Sequence, residues 1–140
     1  MKQTVAVVLA ALLAAGCARA AAFSANVGIH PGQKQFTVSG QFVGSAGIDP
    51  ATQPVTLRVG GFSATMPPGS FQRDPIGHFV FGGTINGARV AGTIWSKGDN
   101  QYAFGFTGRD AENLPTANPV DVQLSIGSNG GDASVNARFF

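Results

Sequence analysis

Few side chains in this chain could do chemistry, and their spacing can be checked directly. There is one Trp (Trp95), one Cys (Cys17) and two His (His30 and His78). His78 and Trp95 fall opposite each other on one face of a hairpin, and Arg89 lies further along the same face. Together they could form an aromatic and imidazole platform for a ligand such as a sugar, with a cation to assist. The plainer reading is a cross-strand surface pair. His30 precedes Pro31 in a turn and carries no separate expectation.

Metal and catalytic patterns are missing from the spacing. No His-x-His, Cys pair or EF-hand loop occurs. Asp49, Asp74, Asp99, Asp110 and Asp132 each fall in a turn, where aspartate caps backbone groups through its own side chain. A calcium site would need several of these loops to cluster. Glu112 is the sole glutamate. No paired-carboxylate, nucleophile–base or nucleophile-elbow arrangement is visible. Gly60-Gly61, Gly82-Gly83 and Gly130-Gly131 belong to hairpins and not to helix starts, so they do not cradle phosphate. The expectation is a protein that is not an enzyme, with no cofactor and no metal. The rival is a hydrolase using the loop carboxylates Asp99 and Asp110.

The element that must position these residues is a hairpin from His78 to Ser96, folded at Asn86-Gly87. Asn-Gly between alternating apolar runs predicts a type I′ turn. That turn sets Ile85 against Ala88, Phe81 against Gly92, Phe79 against Ile94 and His78 against Trp95. One face then carries Phe79, Phe81, Ile85, Val90 and Ile94 toward a core. The other carries His78, Val80, Thr84, Arg89, Thr93 and Trp95 toward solvent.

Further strands follow from the same alternation. Phe23 to Ile29 and Gln35 to Val43 read as strands. Pro54 to Met66 reads as a hairpin about Gly60-Gly61, stopped by Pro67-Pro68. Phe71 tucks a loop onto the core, and Asp74-Pro75-Ile76-Gly77 is a turn. Tyr102, Phe104 and Phe106 share the face of Ile94 and Val90 only if an odd-length loop, three or five residues around Gly98, joins the strands. A third hairpin, Pro119 to Phe140 about Asn129-Gly130, would set Val120 against Phe139 and Asp121 against Arg138. Gln35 to Gly60 and Gln101 to Gly127 look alike, each a strand, a loop and a hairpin. That suggests two similar halves joined by the central hairpin. The predicted fold is an all-β antiparallel sandwich of about eight or nine strands, with a small closed barrel as the alternative.

Residues 1–22 read as a signal peptide, with Lys2 before the apolar run Val5 to Ala15, too short to span a bilayer. Two exits compete. Leu13-Ala14-Ala15-Gly16-Cys17 resembles a lipobox that would lipidate Cys17, although Ala14 sits where Leu is usual. Ala18-Arg19-Ala20 or Ala20-Ala21-Ala22 offers ordinary cleavage. Residues 23–140 form a single domain. Of the nine Lys and Arg, Lys2 and Arg19 go with the leader, leaving seven against seven acids. No basic run survives, so no nucleic acid is expected as a partner. There is also no membrane span, only the lipid anchor that Cys17 would supply. A membrane barrel is disfavoured by the missing aromatic girdle and by Arg58, Arg89, Asp121 and Gln123 on outward faces.

Ile48-Asp49-Pro50, Val55-Thr56-Leu57-Arg58-Val59-Gly60, Met66-Pro67-Pro68-Gly69-Ser70-Phe71, Phe79-Val80-Phe81 and Ile85-Asn86-Gly87 together resemble a module of uncharacterised exported bacterial proteins. These are turn and core motifs, so the resemblance implies a fold and no activity. The functional expectation is an exported, non-catalytic structural or interaction domain of the bacterial envelope or exterior. It would be periplasmic, anchored at the outer membrane or secreted, with an unknown protein or glycan partner. The alternative is a carbohydrate- or small-ligand-binding module using Trp95, His78 and Arg89.

Overall fold

The computed structural model describes residues 18–19, 22–44 and 47–140. Cys17 and the apolar run before it lie outside the described residues. Ala18–Arg19 form β1, a short parallel bridge to Asn129 and Gly130, and Ala22 opens β2.

Alternation builds the strands. β2 (Ala22–His30) and β3 (Gln35–Val43) are joined by the 3-10 turn Pro31–Gln33. β4 (Val55–Val59) and β5 (Phe62–Met66) turn at Gly60-Gly61, and β6 is Gln72–Arg73. β7 (Phe79–Ile85) and β8 (Ala88–Gly98) form the central hairpin, and β9 (Gln101–Arg109) follows. β10 (Val120–Ile126), β11 (Asn129–Val135) and β12 (Arg138–Phe139) complete the set. Among the described residues, β1, β6 and β12 have two residues each, and the other nine strands agree with the expected eight or nine.

The strands form two sheets. One has the order β1-β11-β10-β4-β5, and the other β12-β2-β3-β9-β8-β7-β6. They do not close into a barrel, so the fold is a β-sandwich. Pairing within the sheets is antiparallel apart from β1 with β11 and β12 with β2.

The first two hairpins have the registers that their turns dictate. Phe79 faces Ile94, Phe81 faces Gly92 and Ile85 faces Ala88, while Leu57 faces Ala64 and Val55 faces Met66. Asn86 and Gly87 both have positive φ, as a type I′ turn requires.

The β8–β9 connection differs in its means. Asp99-Asn100 is a two-residue turn with both φ positive, and a bulge between Ser96 and Gly98 supplies the odd residue. The expected phase survives: Ile94 faces Phe104 and Gly92 faces Phe106.

The third hairpin corrects the sequence reading. Its turn is Gly127-Ser128, not Asn129-Gly130, so Val120 faces Val135 and Asp121 faces Ser134. Both dipeptides suit a tight turn, but tertiary contacts select one. Gly127 N–H donates to Pro54 O at 2.9 Å, and Gly131 lies where a Cβ would come 2.5 Å from the Phe23 ring. The strand also stops at Val135. Asn118 donates to Ala137 O (3.1 Å) and accepts from Ala137 N–H (2.7 Å), and Arg138–Phe139 then cross to pair with Gly28 and Ile29. The expected pairs Asp121–Arg138 and Val120–Phe139 do not form for that reason.

The two similar segments occupy equivalent places. β3 and β9 are antiparallel neighbours in one sheet, and β4 and β10 in the other. β2 flanks β3 as β8 flanks β9, and β5 flanks β4 as β11 flanks β10. β8 therefore belongs to the second copy, and β7 joins the halves, in place of a whole central hairpin.

The buried residues are all apolar among those described. Phe36, Phe71, Phe104, Phe106, Leu57, Leu124 and Ile94 lie between the sheets. Each such side chain contributes about 1.5–3 kcal/mol relative to exposure. Rings stand over glycines on the next strand: Phe106 over Gly92 and Phe36 over Gly108.

Candidate functional site

With every phenylalanine except Phe140 buried or packed against the core, polar chemistry is left to the outer faces of the two sheets. The His78–Trp95 pair forms as expected. The rings stack with centroids 5.4 Å apart and planes 27° apart. His78 is fixed by the turn before β7: Asp74 Oδ1 accepts from Ile76 N–H (3.0 Å) and His78 N–H (2.8 Å), while Asp74 N–H donates to His78 O at 2.8 Å.

Trp95 pairs in the other direction with Ala103, which pairs with Gln41. Gln41 Oε1 accepts a hydrogen bond from Lys97 Nζ at 2.9 Å. One row across β7, β8, β9 and β3 thus reads imidazole, indole, methyl and amide, with an ammonium beside it. A half-buried indole face with an amide and a cation along the row can stack a sugar ring or another planar group and hydrogen-bond its edge.

Arg89 is not part of that row. It shares the face with Trp95 but lies six residues away along β8, about 20 Å in an extended strand. Its direct neighbours are Thr84 on β7 and Arg109 on β9. With Gly82, Gly83 and Thr107 they line an open groove of about 540 Å³. Sequence reasoning missed Arg109, although the phase that aligns Ile94 with Phe104 also sets Arg89 against Arg109.

A second groove, about 430 Å³, lies on the outer face of the five-stranded sheet and is lined by Arg58, Asp121, Gln123, Asp132 and Ser134. Arg58, Gln123 and Asp132 form a row there across β4, β10 and β11.

The loop acids are engaged locally. Asp49 Oδ1 accepts from Ala51 N–H at 3.0 Å and Oδ2 from Thr52 Oγ1 at 2.9 Å. Asp99 and Asp110 sit in left-handed conformations beyond opposite ends of β9, about 30 Å apart by strand rise. Among the described residues, no three His, Cys, Asp or Glu gather where they could hold a metal ion. The ion pair Lys34–Glu112 is exposed at 2.8 Å; its hydrogen bond raises the Lys34 pKa above the ordinary lysine value. His30 stacks on Phe140 with centroids 4.6 Å apart.

No helix among the described residues is long and apolar enough to cross a membrane. Comparison with protein-family models, with curated proteins and with solved structures finds no match for this chain.

Proposed function

We propose that this chain is an exported, non-catalytic interaction domain of the bacterial cell envelope or exterior, working through the outer face of its seven-stranded sheet. The observation that carries this reading is the division of side chains. Buried side chains among the described residues are apolar, and an indole–imidazole stack is held on an outer face among polar and cationic side chains. A stack of that kind offers contact area at low conformational cost, which suits recognition.

Export rests on the leader-like residues 1–22, and a lipid anchor would rest on Cys17. Mass spectrometry of the mature N-terminus decides both: a diacylated Cys17 or a free N-terminus near Ala22 supports export, and an intact Met1 on the bulk of the protein contradicts it. A photo-crosslinker at Thr93, near Trp95, tests the face. The expected result is a discrete adduct in envelope fractions that is missing when the crosslinker replaces Thr65, on the other sheet. Equal adducts from both positions contradict the reading.

A second reading is favoured by the His78–Trp95–Ala103–Gln41 row: a carbohydrate-binding module. Trp95 fluorescence titrated against a panel of neutral glycans tests it. A saturable change lost in Gln41→Ala supports it, and silence across the panel removes it.

A further inference from the structure

The strands of the seven-stranded sheet contain no Asp or Glu, yet they carry Arg73, Arg89, Lys97, Arg109 and Arg138. The two acids found on long strands, Asp121 and Asp132, are both on the other sheet, with Arg58. The balance of seven cations against seven acids in residues 23–140 therefore hides an uneven distribution of charge between the strands of the two sheets.

That distribution is most concentrated at Arg89 and Arg109. They are direct cross-strand partners and both are exposed. Like charges set directly opposite each other destabilise a sheet. Among the described residues, neither guanidinium has a carboxylate within ion-pair distance. Asp110 follows Arg109 but lies past the strand end, where its charge acts on Lys34, and Glu112 is taken by Lys34. The surroundings are open: a Cβ at Gly82 would meet nothing within 4 Å, and Thr84 and Thr107 line the same groove.

We infer that the Arg89–Arg109 groove is an oxyanion site that takes a sulfate or phosphate group carried on an extended glycan. Two guanidinium forks side by side can each donate paired hydrogen bonds to a tetrahedral oxyanion, and its charge relieves their repulsion. The threonine hydroxyls supply further donors. Bare glycine backbone at Gly82, where an added Cβ would meet nothing within 4 Å, lets the bearer of the group lie close to the sheet. The glycan bearer, unlike the oxyanion itself, rests on the functional reading above, because the Trp95 stack lies further along the same strand. No ring lies among the lining residues to stack a base, which disfavours a nucleic acid.

The test uses the purified protein in the form that the producing cell yields, titrated calorimetrically at low salt with dextran sulfate, neutral dextran, inorganic phosphate and a single-stranded oligonucleotide. Dextran sulfate should bind, and Arg89→Gln and Arg109→Gln should each weaken it about tenfold. Arg58→Gln, on the other face, should change it less than about twofold, as expected for an isolated distant site. Inorganic phosphate that displaces the polymer shows that a free oxyanion suffices; phosphate that fails to displace it shows that the carrier is needed. Both results support the site. Loss of the same size in Arg58→Gln, equal binding in every variant or no binding of dextran sulfate overturns it. So does an oligonucleotide that binds in an arginine-dependent way where dextran sulfate does not. Neutral dextran bound as tightly as the sulfated polymer overturns the oxyanion site while leaving the Trp95 reading standing. Unchanged far-ultraviolet circular dichroism confirms that each exposed arginine variant still folds.

Discussion

Replacing Gly108 by alanine probes the packing that aligns the whole seven-stranded sheet. An added Cβ would lie 2.0 Å from Phe36 Cε2, 2.6 Å from Cζ and 2.8 Å from Cδ2. Phe36 is 2% exposed and rests against Phe62 with centroids 5.2 Å apart, so the ring cannot swing away without moving the facing sheet. Overpacking of this kind costs about 1–3 kcal/mol. Alanine recovers roughly 0.4–1 kcal/mol by stiffening the unfolded chain, since φ at Gly108 is not in the left-handed region. The net loss should be about 1–2 kcal/mol, or a fall in Tm of about 4–8 °C for a domain of this size. Thermal and urea denaturation followed by circular dichroism measures it. Shrinking the ring should relieve the clash, so the penalty should fall by about 1 kcal/mol when Gly108→Ala is made in a Phe36→Leu background. Unchanged stability, or an equal penalty in both backgrounds, would refute the idea that glycines are placed to seat these rings.

Three further outcomes are expected. Arg89→Thr removes a like-charge pair and should stabilise the free protein by about 0.2–1 kcal/mol at low salt. That gain should shrink at high ionic strength, where screening does the same work; a salt-independent change argues against the pairing. Asn118→Ala strips both backbone partners from buried Ala137 and should cost about 1–3 kcal/mol, with faster amide exchange at Ala137 than at Val122. Glu112→Gln should return the Lys34 pKa toward its ordinary value in an NMR titration. Because folding raises that pKa, the contribution of the pair is complete below the unfolded value and fades as pH rises through the folded one, so the variant should differ from wild type in neutral solution and converge with it at strongly alkaline pH.

Local turn chemistry was readable; competition between turns was not. Asn86-Gly87 and Gly60-Gly61 each stand alone between alternating runs, and one register satisfies both the turn and the core. In the third hairpin Gly127-Ser128 and Asn129-Gly130 are rival turns two residues apart, and either keeps the same residues inside. Alternation alone cannot choose between them. The choice is made by Pro54, by Phe23 above Gly131 and by the clamp of Asn118 on Ala137, all distant in sequence. The loop length after β8 was similar: phase demanded an odd residue, and a bulge at Lys97 supplied it in place of a longer loop.

The candidate sites divide the same way. His78 and Trp95 meet because one turn controls both. Face alone joins Arg89 to them, and distance along the strand separates it. The meeting of Arg89 with Arg109 depends on the register between β8 and β9, so it becomes visible only once phase is followed to the end of the ladder. The balanced charge of residues 23–140 gives no hint that acids are missing from every strand of one sheet.

The measurement that bears most directly on the working face is a map of backbone amide shifts on adding dextran sulfate at low salt. The shifts should cluster on β7, β8 and β9 around Thr84, Arg89, Ala91, Thr107 and Arg109, with β4, β5 and β10 unmoved. Shifts centred on Arg58 and Gln123, or spread evenly over both sheets, would contradict the account.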